Sequence, residues 1–344
     1  MPLAARRVFR FGFVVALSLT AAYGLALPLP YLAPVFAVLL TAAPAPPMGL
    51  KGLVGVVLVV AMTLGVGVVL IPLLTYFPFT AVLLITVGLF FSIYLAVTQA
   101  KGPVGTLLTV GFTMIPAAGL MGDGIAGSVI EALVLGLAVS IICQWLVYPW
   151  FPEDAAPVAA EAVTPQQANW LALRATLIVL PPFMLALSNP TLYLPLIMKS
   201  VFLGQQGSEV SARTAGRELL SSTLLAGCLG VLFWFALKLH PHLWMFFLWM
   251  LLFGFYGASK IYGVSITRYP PSFWINTLVT MLILLGPAVQ DSANGKDVYQ
   301  AFFVRMALFI AVTLYAWGAI AVLERLRARY LRRSAIQNLT VEVS

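Results

Sequence analysis

Apolar residues run along this chain in long blocks rather than in stripes. Ten blocks approach or exceed the roughly 20 residues a helix needs to cross a bilayer: residues 8–27, 50–72, 78–99, 103–121, 125–148, 171–188, 218–239, 242–261, 271–289 and 298–323. Two more, 29–45 and 190–206, are short and interrupted by proline and glycine. Only helices satisfy their backbone groups within one lipid-embedded segment. The pattern therefore predicts an all-α membrane protein of about twelve transmembrane helices, two of them short and broken.

The blocks also fall into two sets of six, separated by an acidic, alanine-rich stretch from Pro149 to Ala168. Arg10 opens the first block of one set and Arg174 that of the other. A short interrupted segment follows each, Pro28 to Pro47 and Pro190 to Glu209. Duplicated helical halves mark membrane carriers whose substrate site lies between the repeats. Six crossings return the chain to its starting side, so the expected architecture is two parallel six-helix repeats. They span residues 1–148 and 170–324, with a cytoplasmic linker at 149–169 and a basic cytoplasmic tail at 325–344.

Composition strengthens this picture. The chain of 344 residues is 62% hydrophobic and 9% charged, against about a quarter charged in soluble domains. If the short segments cross, fifteen of its 19 lysines and arginines share one side. These are Arg6, Arg7, Arg10, Lys51, Lys101, Arg174, Arg213, Arg217, Lys260, Arg268 and the tail residues Arg325, Arg327, Arg329, Arg332 and Arg333. Lys238 and Lys296 face them from the other side. This positive-inside bias puts both termini in the cytoplasm of a multi-pass protein of a bacterial inner membrane. The net charge of +8 is thereby read as a topology signal and an anchor to membrane lipid, not as a nucleic-acid surface. Residues 6–26 imitate a signal peptide, but Arg174 repeats the same opening where no cleavage is meant, so they are read as the first helix.

Enzyme signatures are missing. There is no phosphate-binding loop. Cys143 and Cys228 sit alone in apolar helices, and His240 and His242 lack a third ligand, so neither a metal nor a cofactor is expected. The candidate chemistry lies in ionisable residues within apolar blocks, which are costly there unless they face the bundle interior. Glu131, Lys199 and Arg305 qualify. Placing the halves in register sets Glu131 opposite Arg305, which suggests either a structural ion pair or a proton-coupling carboxylate at Glu131. Lys199 and Arg305 are candidate counter-charges for an anionic substrate, with a side chain snorkelling to the interface as the other reading of Lys199. The breaks at Pro44, Pro46 and Pro47 and at Gly204 and Gly207 are candidate substrate-site backbone. Arg217 is a candidate substrate contact beside its topological role, and Trp249, Phe253 and Tyr256 form a candidate aromatic slot within a largely lipid-facing cluster. Pairs of glycines (52 and 55, 65 and 67, 227 and 230) are expected to let the third helix of each half pack closely.

The paired arginines before each half, the Lys51-Gly52 and Gly216-Arg217 openings of the third helices, and Arg305 in the last helix resemble the fusaric-acid-resistance and aromatic-acid-exporter superfamily, in a compact bacterial branch. The likeness covers roughly residues 5–325, and its motifs are loose patterns of Arg, Gly and Pro. It implies proton-coupled export of small aromatic organic acids, together with a periplasmic membrane-fusion (adaptor) protein and an outer-membrane channel. The basic residues it carries over are Arg10, Arg174, Arg217 and Arg305. Relatives with a large cytoplasmic domain differ from this chain, which has only a short linker, and Glu131 stands where an arginine would fit the repeat. The expected function is thus an efflux transporter. A passive organic-anion channel and a non-transporting scaffold or membrane enzyme are the alternatives, and self-association is left open.

Overall fold

The computed structural model describes residues 1–98, 102–122, 124–154, 163–206, 212–295 and 297–342. Every regular element among them is an α-helix. The first half holds α1 (Leu3–Gly24), α2 (Leu32–Ala42), α3 (Leu50–Tyr76), α4 (Pro78–Thr98), α5 (Gly102–Gly119) and α6 (Ile125–Val147). The second holds α7 (Pro165–Ser188), α8 (Pro190–Gln206), α9 (Ala212–Leu239), α10 (Leu243–Ile261), α11 (Pro271–Ala293) and α12 (Val298–Glu342). Prolines begin α4, α7, α8 and α11, where the missing N–H would be unpaired in any case. The Thr164 hydroxyl caps α7 by accepting from the Gln167 amide at 3.4 Å. Gly124, at φ 89°, turns the chain into α6 through a conformation that disfavours any other residue.

Among the described residues, eight helices are long and apolar enough to cross a membrane: α3, α4, α6, α7, α9, α10, α11 and α12. The chain is therefore of the multi-pass membrane class, but this is fewer than the ten full spans read from the blocks. The difference has a packing reason. α1 spends its first turns on Arg6, Arg7 and Arg10, and α2, α5 and α8 are short helices of the interior. Residues Leu32–Val38 of α2 and Leu196–Leu203 of α8 are buried without exception. A helix wrapped by other helices has no lipid contact that would require it to match the bilayer thickness. α11 shares this interior, with 83% of its apolar window buried, whereas α3 and α4 bury only 22% and 28% and turn their side chains outward.

The packing crosses between the halves. α4 lies against α7, and α10 lies along α1 in the largest helix–helix contact of the fold. Glycines allow this closeness: a Cβ at Gly254 of α10 would stand 3.2 Å from the Gly12 Cα of α1, and the Phe255 ring folds over Gly12. Of the glycines expected to serve the third helices, Gly67 of α3 meets the Gly111 carbonyl of α5, and Gly227 and Gly230 of α9 meet Met306 and Phe302 of α12. Gly55 and Gly65 face open space, and a Cβ at Gly52 would meet only Met48. Those three are not packing positions.

Candidate functional site

α8 is buried on every side around Lys199, which has no exposed surface. Snorkelling is excluded by that burial. The Lys199 ammonium donates to Asn276 Oδ1 at 3.1 Å and to Thr280 Oγ1 at 2.7 Å, both on α11. The cradle is itself braced. Thr280 donates its proton to Asn276 Oδ1 (3.2 Å), and Asn276 Nδ2 donates to Ser222 Oγ of α9 (2.6 Å). Next to Ser222 in the chain, the Thr223 hydroxyl meets that of Thr313 at 3.3 Å and extends the polar seam to α12. Every partner of the lysine is neutral, and no carboxylate among the described residues pairs with it. Of its three N–H donors, two are occupied. A cation that has left water without gaining a counter-charge is costly to bury. The ammonium thus keeps one charge and one free donor, which is the chemistry needed to receive an anion, while the Thr280 and Ser222 hydroxyls spend their protons on Asn276 and the Leu219 carbonyl.

Arg305 is paired, but not with Glu131. Its Nη2 lies 2.6 Å from Asp291 Oδ2, and both side chains are largely buried. The expected Glu131–Arg305 pair fails because α6 packs on α1, α2, α3 and α5, whereas α12 packs on α7, α8, α9 and α11. A short connection between α11 and α12 brings Asp291 to Arg305 instead. Glu131 is exposed on the outer side of α6 and joins no ion pair among the described residues. The expectation that it faces the interior is overturned.

Ion pairs of another kind close the opposite end, where α1 and α7 begin. Arg7 grips Glu153 with two hydrogen bonds, 2.9 Å from Nε and 2.7 Å from Nη2, and Arg10 adds one at 2.8 Å. Arg6 reaches Asp154 at 2.6 Å. The hydrogen bonds from Arg7, helped by Arg10, outweigh burial and hold the Glu153 carboxyl down at about 2. In the second half Arg174 meets Glu324 at 2.8 Å, and Trp170 Nε1 donates to the same oxygen at 3.0 Å. Glu324 lies nineteen residues beyond Arg305, roughly 28 Å along α12 at 1.5 Å per residue.

The remaining candidates scatter. Pro44, Pro46 and Pro47 do lie in a non-helical stretch, but it sits level with helix ends rather than at depth: Tyr262 donates to the Thr41 carbonyl (2.6 Å) and Trp145 to that of Met48 (2.5 Å). Gly204 is inside α8, where its missing Cβ lets the helix approach Val179 and Ala175 of α7. It marks close packing, not a break. Gly207 lies outside the described residues, as does the side chain of Arg213. Arg217 is exposed. Trp249 and Tyr256 ride on α10, which packs against α1, α9 and α11, while α8 packs against α5, α7, α11 and α12. Tyr256 is 47% exposed and Phe253 packs at a tilt against Phe233, so no aromatic slot adjoins Lys199.

Asn276, Thr280 and Ser222 escaped the sequence reading. Their signal was present: Asn276, Thr277 and Thr280 place polar groups on one face of an otherwise apolar block. No group of three or more metal-ligating side chains occurs among the described residues. No curated protein matches the chain, and no solved structure does. Residues 7–147, from the first turns of α1 to the last residue of α6, match the profile of a family described as a protein of unknown function (DUF2955).

Proposed function

We propose that this protein carries small organic anions out across a bacterial inner membrane and that the anionic group binds at Lys199. The observation that carries this reading is the fully buried ammonium held only by neutral oxygens. A carboxylate beside it would supply the missing charge and accept the free donor. The resemblance to aromatic-acid exporters supports aromatic acids as the substrate class and a periplasmic adaptor and outer-membrane channel as partners.

The architecture we propose is two parallel six-helix repeats. Matching contacts support it: α1–α2 with α7–α8, α3–α5 with α9–α11, α2–α6 with α8–α12, and α4–α7 with α10–α1. The two arginine–glutamate closures, Arg10–Glu153 and Arg174–Glu324, correspond in the same way. The family match that stops at the end of α6 also supports the half as a unit.

A second reading, passive movement of the anion down the membrane potential, is favoured by one observation. Glu131 faces outward, and Asp291, the one acidic residue of the interior helix α11, is already paired. Proteoliposomes loaded with labelled benzoate or acetate test both. Efflux that needs an imposed pH gradient supports the coupled carrier. Efflux that follows a potassium diffusion potential alone supports the passive path. Movement of neither probe under either condition would sink the anion reading.

A further inference from the structure

The basic end of the molecule is balanced differently in the two halves. In the first, Arg6, Arg7 and Arg10 each meet a carboxylate. In the second, the carboxylate of Glu324 is shared by Arg174 and Trp170 among the described residues. Arg327, one turn further along α12, is left over. Its guanidinium lies over the Trp170 ring, 5.0 Å from the centroid, and enters no ion pair among the described residues.

Below this cation a groove of about 650 Å³ opens between α4, α7 and α12. Its two main walls are graded in the same direction. On α7, Gln166, Asn169 and Trp170 come first and Leu173 lies deeper on the same helical face. On α12, Arg327 is outermost, and Leu326 and then Leu323 lie deeper, with Phe90 of α4 completing the apolar floor. Leu173 and Leu326 are 43% and 54% exposed, so the groove opens sideways, where the hydrocarbon lies. The start of α7 adds the positive end of a helix dipole to the polar rim. No carboxylate among the described residues lines the groove.

We propose that this groove binds one anionic phospholipid, with its phosphate on the Arg327 guanidinium and an acyl chain along Phe90, Leu173 and Leu323. A polar, cationic rim over an apolar floor matches an amphiphile standing in the leaflet. The charge selects the headgroup, since the ammonium of a zwitterionic lipid would meet only a cation and amides. The site is independent of Lys199.

Detergent-solubilised full-length protein titrated with phosphatidylglycerol or phosphatidylcholine, read by native mass spectrometry, tests the assignment. Phosphatidylglycerol is expected to give a one-lipid adduct, weakened about tenfold or more in Arg327→Gln. Arg329→Gln, an exposed neighbour outside the groove, should keep it, and Arg327→Lys should retain part of it if the variant fold is intact. Equal binding of the two lipids would overturn the proposal. So would equal losses in the Arg327 and Arg329 variants, which would mean diffuse attraction. A dimer that Arg327→Gln dissolves, with no lipid adduct, would make this face a contact between copies and overturn it likewise.

Discussion

Replacing Lys199 by methionine should separate folding from anion handling. Methionine is unbranched and of similar length, so the fully buried site stays filled. The substitution removes two charge-assisted hydrogen bonds, to Asn276 at 3.1 Å and Thr280 at 2.7 Å, each contributing about 1.5–3 kcal/mol. It also removes an ammonium without a counter-charge, whose desolvation costs several kcal/mol. The two effects are of similar size and opposite sign. Asn276 keeps Ser222 and Thr280 as partners, so no polar atom of the cradle is stranded. The unfolding temperature in detergent should therefore stay within a few degrees of the parent. Anion binding is not cushioned in this way. Two unit charges about 4 Å apart attract by about 4 kcal/mol at an effective dielectric constant near 20, which is about a thousandfold in affinity. Benzoate flux at sub-saturating concentration should fall by about that factor in proteoliposomes holding equal amounts of folded protein. Parent-like flux in Lys199→Met would refute the anion site. Loss of cooperative unfolding would show that the lysine is a structural strut.

Three further outcomes are expected. Gly67→Val forces a side chain into the Gly111 carbonyl and should destabilise by about 1–3 kcal/mol or more, while Gly65→Ala, facing open space, should leave the melting curve unchanged or slightly raised; equal effects would contradict the α3–α5 crossing. Asp291→Asn strands a largely buried Arg305 and should cost about 3 kcal/mol, most of it recovered in Asp291→Asn with Arg305→Met, and a double variant no better than the single would argue against the pair. The Glu153 carboxyl is held at about 2 against an ordinary 4.5, so its contribution to stability is complete above about 4.5 and is lost as the pH falls toward 2. Melting curves of the parent and Glu153→Gln should thus converge on acidification, and a constant gap between them would refute the assignment.

Block boundaries were legible because the apolar length of a lipid-facing helix is dictated by the bilayer. The blocks at 50, 271 and 298 begin where α3, α11 and α12 begin. The same rule gave two more full spans than the eight long apolar helices, at α1, whose first turns carry Arg6, Arg7 and Arg10, and at α5, whose neighbours are protein. Lys199 stood out as a cation in an apolar run, but its partners lie on α11 and α9, and spacing along one helix says nothing about which other helix it meets. Glu131 and Arg305 failed for the same reason. Corresponding positions in two halves identify equivalent places and do not imply contact. Gly204 looked like a break because glycine next to polar residues reads as a turn, whereas its lack of a side chain serves the approach to α7.

The contact between α1 and α10 also has a meaning in time. α1 is made well before its largest partner, α10, which starts at Leu243. Until synthesis passes that point, the face of α1 around Gly12 has no mate, and the same holds for α4 until α7 is complete. The first six helices therefore enter the bilayer with two surfaces provisionally covered by lipid or by one another. Expressed alone, that half should leave a cysteine substituted at Phe13, whose ring rests on Phe255 of α10, accessible to a membrane-permeant thiol label, and co-expression of the second half should protect it.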